Sequence, residues 1–142
     1  MTQDGVEVFF YGLFMDESLL DCKGIIPLAA TAGYVDGYRL RIGNRATLLP
    51  EHGSRAHGVL MTIGTKEAAN LYSDETVADY VAESVSVTLP SRAVKSAICY
   101  NLPLGEIDGV NAAYAESLLR LATELGFPRD YLDQIRAEMN RQ

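Results

Sequence analysis

The chain has 142 residues, of which 48% are hydrophobic and 22% charged, a balance typical of one globular domain. Its formal net charge is −7 and its 12 lysines and arginines are scattered, which argues against a nucleic-acid partner because phosphate binding needs a basic stripe. No apolar run approaches about 18 residues and no signal peptide is recognisable, so we expect a cytoplasmic protein without a membrane partner.

The cysteines and histidines do not suggest a metal site. Cys22 and Cys99 are far apart and form no C-x-x-C pair, so we expect two free, partly buried thiols. His52 and His57 are five residues apart, a spacing that places them on opposite faces of a strand. Because no other Cys, His or Asp cluster completes a ligand set, we predict that no metal is bound.

The first predicted elements are a strand and a short helix joined by a glycine. Residues 5–11 are β-rich and apolar, and Gly12 ends the run. Residues 16–22 follow as a helix, with Asp16 and Glu17 in the first turn, where carboxylates suit the helix dipole. Such a junction points backbone N–H groups into one small volume, which makes it a candidate site for an anionic ligand.

The middle of the chain is predicted to be mostly strand, because short apolar or alternating runs are separated by turn residues. The predicted strands cover residues 31–42, 46–49, 56–63, 80–89 and 93–101, with one helix at residues 65–72. Within the first of these strands, Gly33 and Gly37 predict bulges or close backbone contacts.

Two helices are predicted near the C-terminal end. In residues 110–126, apolar residues including Tyr114 repeat at intervals of three and four, and a second helix covers residues 129–140 after Pro128. No linker or internal repeat divides residues 1–142. About six short strands with helices at the end therefore predict a single α+β domain, built as a mixed or antiparallel sheet or a small barrel.

The familiar catalytic motifs are missing. There is no dinucleotide-binding or phosphate-binding glycine loop and no G-x-S-x-G sequence, and neither cysteine has a histidine beside it. A catalytic triad assembled in space from distant residues stays open as an alternative. Otherwise, glycines, tyrosines and carboxylates must carry any chemistry.

Glu75 is the carboxylate that we single out. It lies between a helix end and a strand, where partial desolvation by tyrosines would raise its pKa and suit a general base. The alternative is a solvated loop acid, which is also the simpler interpretation of Asp74 and Glu83. Tyr11 and Tyr100 end buried strands, where a tyrosine is either a core residue with a bonded hydroxyl or a ligand contact.

Several stretches together resemble the γ-glutamylcyclotransferase family and its AIG2-like relatives. They are Phe10-Tyr11-Gly12-Leu13-Phe14-Met15, the run from Gly37 to Leu60, Asp74-Glu75-Thr76-Val77 with Tyr80, Ile98-Cys99-Tyr100, and Gly126-Phe127-Pro128 with Tyr131. The first is similar to the family's Tyr-Gly-Ser/Thr-x-Met/Leu loop, and the third to its Asp-x-x-Glu-Gly sequence with a downstream tyrosine. The resemblance covers nearly the whole chain in the right order.

The resemblance implies a small mixed, largely antiparallel barrel with flanking helices. It also implies an enzyme without a cofactor, whose small-molecule substrate is a γ-glutamyl amino acid, amine or conjugate. The substrate's α-amine attacks its own γ-carbonyl, giving 5-oxoproline and a released amine, and Glu75 matches the catalytic glutamate. By the same resemblance, the substrate-binding residues are Tyr11, Gly12, Leu13, Phe14, Met15 and Tyr100.

Two positions depart from the family pattern. Leu13 replaces the Ser or Thr after Tyr-Gly, so a hydroxyl is lost while the backbone N–H groups stay, and Thr76 replaces the glycine after the glutamate. These departures keep two alternatives open: a catalytically silent domain that binds a small acidic ligand or a peptide end, and an amide hydrolase in which water replaces the amine. The sequence leaves open whether the protein is a monomer or a homodimer.

Overall fold

The computed structural model describes residues 5–43, 46–71, 80–102 and 112–139. The strands in these ranges are β1 (Gly5–Phe10), β2 (Ala29–Ile42), β3 (Ala46–Gly64), β4 (Val81–Thr88) and β5 (Val94–Asn101). The helices are α1 (Glu17–Cys22), α2 (Thr65–Leu71), α3 (Ala112–Glu124) and α4 (Arg129–Met139), with a 3-10 turn at Leu13–Met15. Each helix lies within two residues of its predicted bounds.

The strands form a closed barrel in the order β1-β3-β2-β4-β5. Four neighbouring pairs are antiparallel, and β1 pairs with β5 in parallel through Val8 and Ile98. This arrangement confirms the prediction of an α+β fold with a small mixed, largely antiparallel barrel and flanking helices. Large apolar side chains such as Phe9, Leu40 and Met61 are fully buried and fill the core.

The described barrel has five strands rather than about six, because the predicted strands 46–49 and 56–63 are parts of one long strand, β3. Gly53 lies between them with φ +87°, a left-handed conformation that bends the strand without ending it. The facing strand is also irregular: the register of β2 shifts between Asp36 and Tyr38, around Gly37 with φ +85°. The bulge predicted at Gly37 is confirmed.

Helix α4 covers an open edge of β2. Among the described residues, β2 pairs with β4 through Tyr34 and Thr88 alone, and no pair with β4 involves the part of β2 after its bulge. There, Gln134 Oε1 accepts a hydrogen bond from the N–H of Leu40 at 3.3 Å, and Glu138 Oε1 accepts one from the N–H of Ile42 at 2.8 Å. Side chains one helical turn apart therefore satisfy alternate backbone donors of the strand.

The described residues include both cysteines, several possible metal ligands and four helices. Cys22 and Cys99 are free thiols, but Cys22 is exposed while Cys99 is buried, so only one of them is shielded as expected. Among the residues with described positions, no group of His, Cys, Asp or Glu has the geometry of a metal site. None of the helices in these ranges is long and apolar enough to cross a membrane.

Candidate active site

The candidate site begins where β1 ends. Phe9, Phe10 and Tyr11 are buried, and the chain then turns at Gly12 into the Leu13–Met15 turn. The N–H of Met15 donates to Gly12 O at 3.1 Å, and the N–H of Asp16 donates to Leu13 O at 3.0 Å. The predicted strand-to-glycine-to-helix junction is confirmed as a local structure.

Helix α1 follows this turn directly. Asp16 is its N-cap residue rather than part of the first turn, and Asp16 Oδ1 accepts a hydrogen bond from the N–H of Ser18 at 2.9 Å. Glu17 occupies the first turn, as predicted. The cap fixes how the chain leaves the turn, because it satisfies a backbone donor that a helix start otherwise leaves exposed.

Tyr114, which lies on α3 and is distant in sequence, binds the backbone of this turn. Its hydroxyl oxygen accepts a hydrogen bond from the N–H of Leu13 at 3.3 Å. A Cβ at Gly12 would lie 2.5 Å from the same oxygen, so only glycine allows this approach. Burial raises the pKa of Tyr114 to about 12, which keeps the phenol neutral near pH 7. From the sequence, Tyr114 is predicted to lie on an apolar helix face in the part of the chain that resembles the family's C-terminal helices, without a role at this turn.

Two further tyrosines tie strand ends together beside the turn. The Tyr11 hydroxyl donates to Tyr100 O at 2.7 Å, and the Tyr80 hydroxyl donates to Ala46 O at 2.6 Å. The described bonds of Tyr11 are therefore those of a core tyrosine with a bonded hydroxyl, one of the two interpretations that the sequence left open. Burial raises the pKa of the half-buried Tyr100. Contact of either residue with a substrate stays a prediction.

Buried polar side chains join the end of β5 to the start of β3. Thr47 Oγ1 accepts a hydrogen bond from the N–H of Leu102 at 2.8 Å, and Asn101 Oδ1 accepts one from the N–H of Leu48 at 3.2 Å. The amide nitrogen of Asn101 donates to Glu83 Oε2 at 2.8 Å. Thr47 and Asn101 are almost fully buried, so these bonds satisfy groups that would otherwise be costly to bury. No pattern in the sequence predicted this network.

Glu75 lies outside the described residues, as do Asp74 and Thr76. In the sequence it stands four residues after Leu71, the buried last residue of α2, and five before Tyr80. Tyr80 is bonded to Ala46, next to the polar network of β3 and β5. The catalytic role of Glu75 therefore stays a prediction.

A separate open groove of about 800 Å³ lies between the bent β2–β3 hairpin and α4. Both His52 and His57 line it, which corrects the expectation that they lie on opposite faces of a strand; the left-handed Gly53 between them breaks the two-residue alternation. The His57 ring lies 5.0 Å from the Tyr131 ring, between centroids. Burial is the main reason why the pKa of His57 is lowered, and the nearby Arg55 charge adds to the effect.

Comparison with known proteins gives a family and a fold. The sequence profile of the AIG2-like family matches residues 55–135, more than half of the chain. A search among curated proteins gives no match. The structure is similar to that of a gamma-glutamyl cyclotransferase, with a TM-score of 0.77 and 17% identity over 94% of this chain and 88% of that one.

Two further solved structures have the same architecture. YkqA from Bacillus subtilis gives a TM-score of 0.76 at 22% identity, over 97% of this chain and 55% of that protein, so this chain spans about half of its length. A yeast gamma-glutamyl cyclotransferase specific to glutathione gives 0.67 at 14% identity, over 97% and 96% of the two chains. At such identities the likeness establishes the fold alone.

Proposed function

The chain belongs to the AIG2-like family, and we propose that it is a cyclotransferase that converts a γ-glutamyl compound into 5-oxoproline and a released amine. The observation that carries the proposal is the turn after β1, where Gly12 and Leu13 meet the Tyr114 hydroxyl. The barrel and helices also match those of structures named as gamma-glutamyl cyclotransferases, which supports the same activity.

The glutamyl part of the substrate binds at this turn in our proposal. Because this turn resembles the family's loop, we take the backbone amides of Gly12, Leu13 and Phe14 as the donors to the substrate, with the Leu13 amide shared between the substrate and Tyr114. Backbone donors held in a fixed turn stabilise an oxyanion without reorganising during the reaction. Tyr114 accepts the hydrogen bond of the Leu13 amide and so fixes the direction in which that N–H group points.

Glu75 is the general base of the proposed reaction. The α-ammonium group of the substrate gives a proton to the Glu75 carboxylate, and the neutral amine then attacks the γ-carbonyl carbon. The resulting oxyanion collapses as the C–N bond to the leaving amine breaks, and Glu75 returns its proton to that nitrogen. The second proton that the attacking nitrogen loses in forming the lactam follows by the same route, so the amine leaves as an ammonium ion and the Glu75 carboxylate is restored. Because nucleophile and carbonyl belong to one molecule, binding it in a folded conformation supplies much of the acceleration.

The proposal is tested by incubating the protein with γ-glutamyl-alanine, glutathione and γ-glutamyl-ε-lysine and measuring 5-oxoproline. Glu75→Gln removes the base while keeping the side-chain size, and Asp74→Asn is the matched control for loss of a neighbouring charge. We expect Glu75→Gln to lose at least about a hundredfold in kcat and Asp74→Asn to stay close to wild type.

The same assay distinguishes the alternatives. Release of free glutamate instead of 5-oxoproline would identify an amide hydrolase. Binding of the compounds without turnover, equally in wild type and Glu75→Gln, would identify a silent binding domain.

A further inference from the structure

Glu83 is a carboxylate at the rim of the barrel interior. Glu83 is directly opposite Cys99 in the β4–β5 ladder, and Val81 is opposite Asn101, so these side chains share one face of the sheet. Cys99 is fully buried and Asn101 nearly so, which identifies that face as the inner one. Glu83 itself is exposed, so its carboxylate lies where the interior opens to solvent.

The carboxylate is held in place but not neutralised. Asn101 donates to Glu83 Oε2 at 2.8 Å, and Asn101 is itself fixed by the N–H of Leu48. The described ion pairs join other carboxylates to lysine or arginine, such as Asp36 to Arg55, and within the described ranges none involves Glu83. A fixed carboxylate without a cation attracts a positive charge more strongly than a paired one.

The negative charge of Glu83 raises the pKa values of two neighbouring groups. The pKa of the Tyr38 phenol is raised first by burial and then by Glu83, and the pKa of the Cys99 thiol is raised for the same two reasons. Tyr38 lies on β2 and Cys99 on β5. Glu83 therefore raises the pKa of one group on each of two strands.

Glu83 is linked to the proposed substrate site through a series of neighbouring residues. Asn101, its partner, follows Tyr100, and the Tyr100 carbonyl accepts the hydrogen bond of Tyr11. Tyr11 leads directly into the Gly12 turn. Asn101, Tyr100 and Tyr11 therefore connect Glu83 to that turn.

We propose that Glu83 is a specificity-determining residue that binds a positive charge on the leaving-amine part of the substrate, and that Asn101 is its positioning residue. This inference rests on the proposed function. The substrate class is then a γ-glutamyl amide whose amine carries a second, protonated amino group. Charge complementarity of this kind discriminates between partners more than it adds to affinity.

The test uses two substrates that differ only in that charge. The γ-glutamyl amide of 1,4-diaminobutane ends in an ammonium group, whereas the γ-glutamyl amide of pentylamine has a methyl group at the same position. We expect wild type to favour the charged amide by about threefold to tenfold in kcat/KM, mostly through KM, which is the range for one partly exposed ion pair. Glu83→Gln should remove the preference and leave kcat/KM for the neutral amide within about twofold.

Glu116→Gln is the matched control, because it removes the same charge from the exposed face of α3. It should keep the preference of the wild type. Equal rates of wild type on both amides would overturn the inference, and so would an equal loss on both amides in Glu83→Gln.

A binding experiment separates failure of this inference from failure of the proposed function. If neither amide nor any of the three γ-glutamyl compounds named above yields 5-oxoproline, the proposed function fails, and titration with 1,4-diaminobutane followed by NMR still tests the cation site. The Asn101 side-chain amide resonances should shift in wild type, should not shift in Glu83→Gln, and should not respond to 1-butanol. No shift in wild type, or the same shift in both proteins, would overturn the inference.

Discussion

The hydroxyl oxygen of Tyr114 lies 3.3 Å from the backbone nitrogen of Leu13 and accepts its hydrogen bond. This contact joins α3 to the turn after β1 across a separation of 101 residues in the sequence. It also means that the turn is held by a side chain that local sequence cannot identify. A substrate that uses the Leu13 amide must share it with Tyr114 or replace the Tyr114 oxygen.

The first prediction concerns the close approach of Gly12 and Tyr114. Gly12→Ala places a Cβ 2.5 Å from the Tyr114 oxygen, so we expect a loss of about 1–3 kcal/mol in the free energy of unfolding. Tyr114→Phe removes that oxygen, and the next atom of the ring lies at 3.8 Å, an ordinary contact. The cost of Gly12→Ala should therefore be clearly smaller in the Tyr114→Phe background.

Urea denaturation of wild type, the two single variants and the double variant measures this coupling. Strictly additive effects of the two substitutions would show that the phenol oxygen is not what excludes a side chain at Gly12.

The second prediction concerns the edge of β2. Glu138 has only 1% of its surface exposed and accepts the N–H of Ile42, with Arg39 3.7 Å and Arg41 3.9 Å away. We expect Glu138→Ala to lower the free energy of unfolding by about 2–4 kcal/mol, because a buried backbone donor and a charged partner are lost together.

Glu138→Gln is the matched variant, because its amide oxygen can still accept the N–H of Ile42. We expect it to cost about 1 kcal/mol. Equal losses in both variants, measured by urea denaturation, would contradict the role given to this hydrogen bond.

The elements of the fold were largely predictable from the sequence, because the spacing of apolar residues shows which side chains face the core and so distinguishes a helix from a strand. The single strand β3 was not, since Pro50 and Gly53 have the composition of a turn while the backbone bends through them and continues. The barrel pairs this strand with both β1 and β2, and that long-range pairing decides its continuity.

The candidate site was predictable only in its local parts. The Gly12 turn is encoded by adjacent residues, and the structure has it where the sequence placed it. Tyr114 and Asn101 were missed, because one has the spacing of a core residue on a helix and the other is a polar residue in a strand. The role of Tyr114 depends on Leu13, about 100 residues away, and the role of Asn101 depends on Leu48, about 50 residues away. Glu75 stays a prediction.

The third prediction concerns the pH dependence of stability. Burial, helped by the Arg55 charge and opposed by Asp36, lowers the pKa of His57 below 6.5 in the folded protein. As the pH falls through about 6.5, the unfolded chain takes up a proton at this residue before the folded one does, so stability is lost. The loss should end once the pH is below the folded-state pKa.

His57→Phe keeps a ring against Phe127 and Tyr131 but cannot titrate. We therefore expect its urea midpoint to fall less than that of wild type between pH 7.5 and pH 5.5. The control is His52→Gln, which changes an exposed histidine of the same groove. Identical pH profiles for wild type and His57→Phe would contradict the assignment.

The central claim is that the γ-carbonyl is attacked by the substrate's own α-amine and not by water. The most direct measurement is mass spectrometry of the products formed from γ-glutamyl-alanine in water enriched in oxygen-18. The account predicts 5-oxoproline without added solvent oxygen, formed by wild type and lost in Glu75→Gln. Free glutamate with one oxygen-18 in its γ-carboxyl group, formed as the first product, would contradict it.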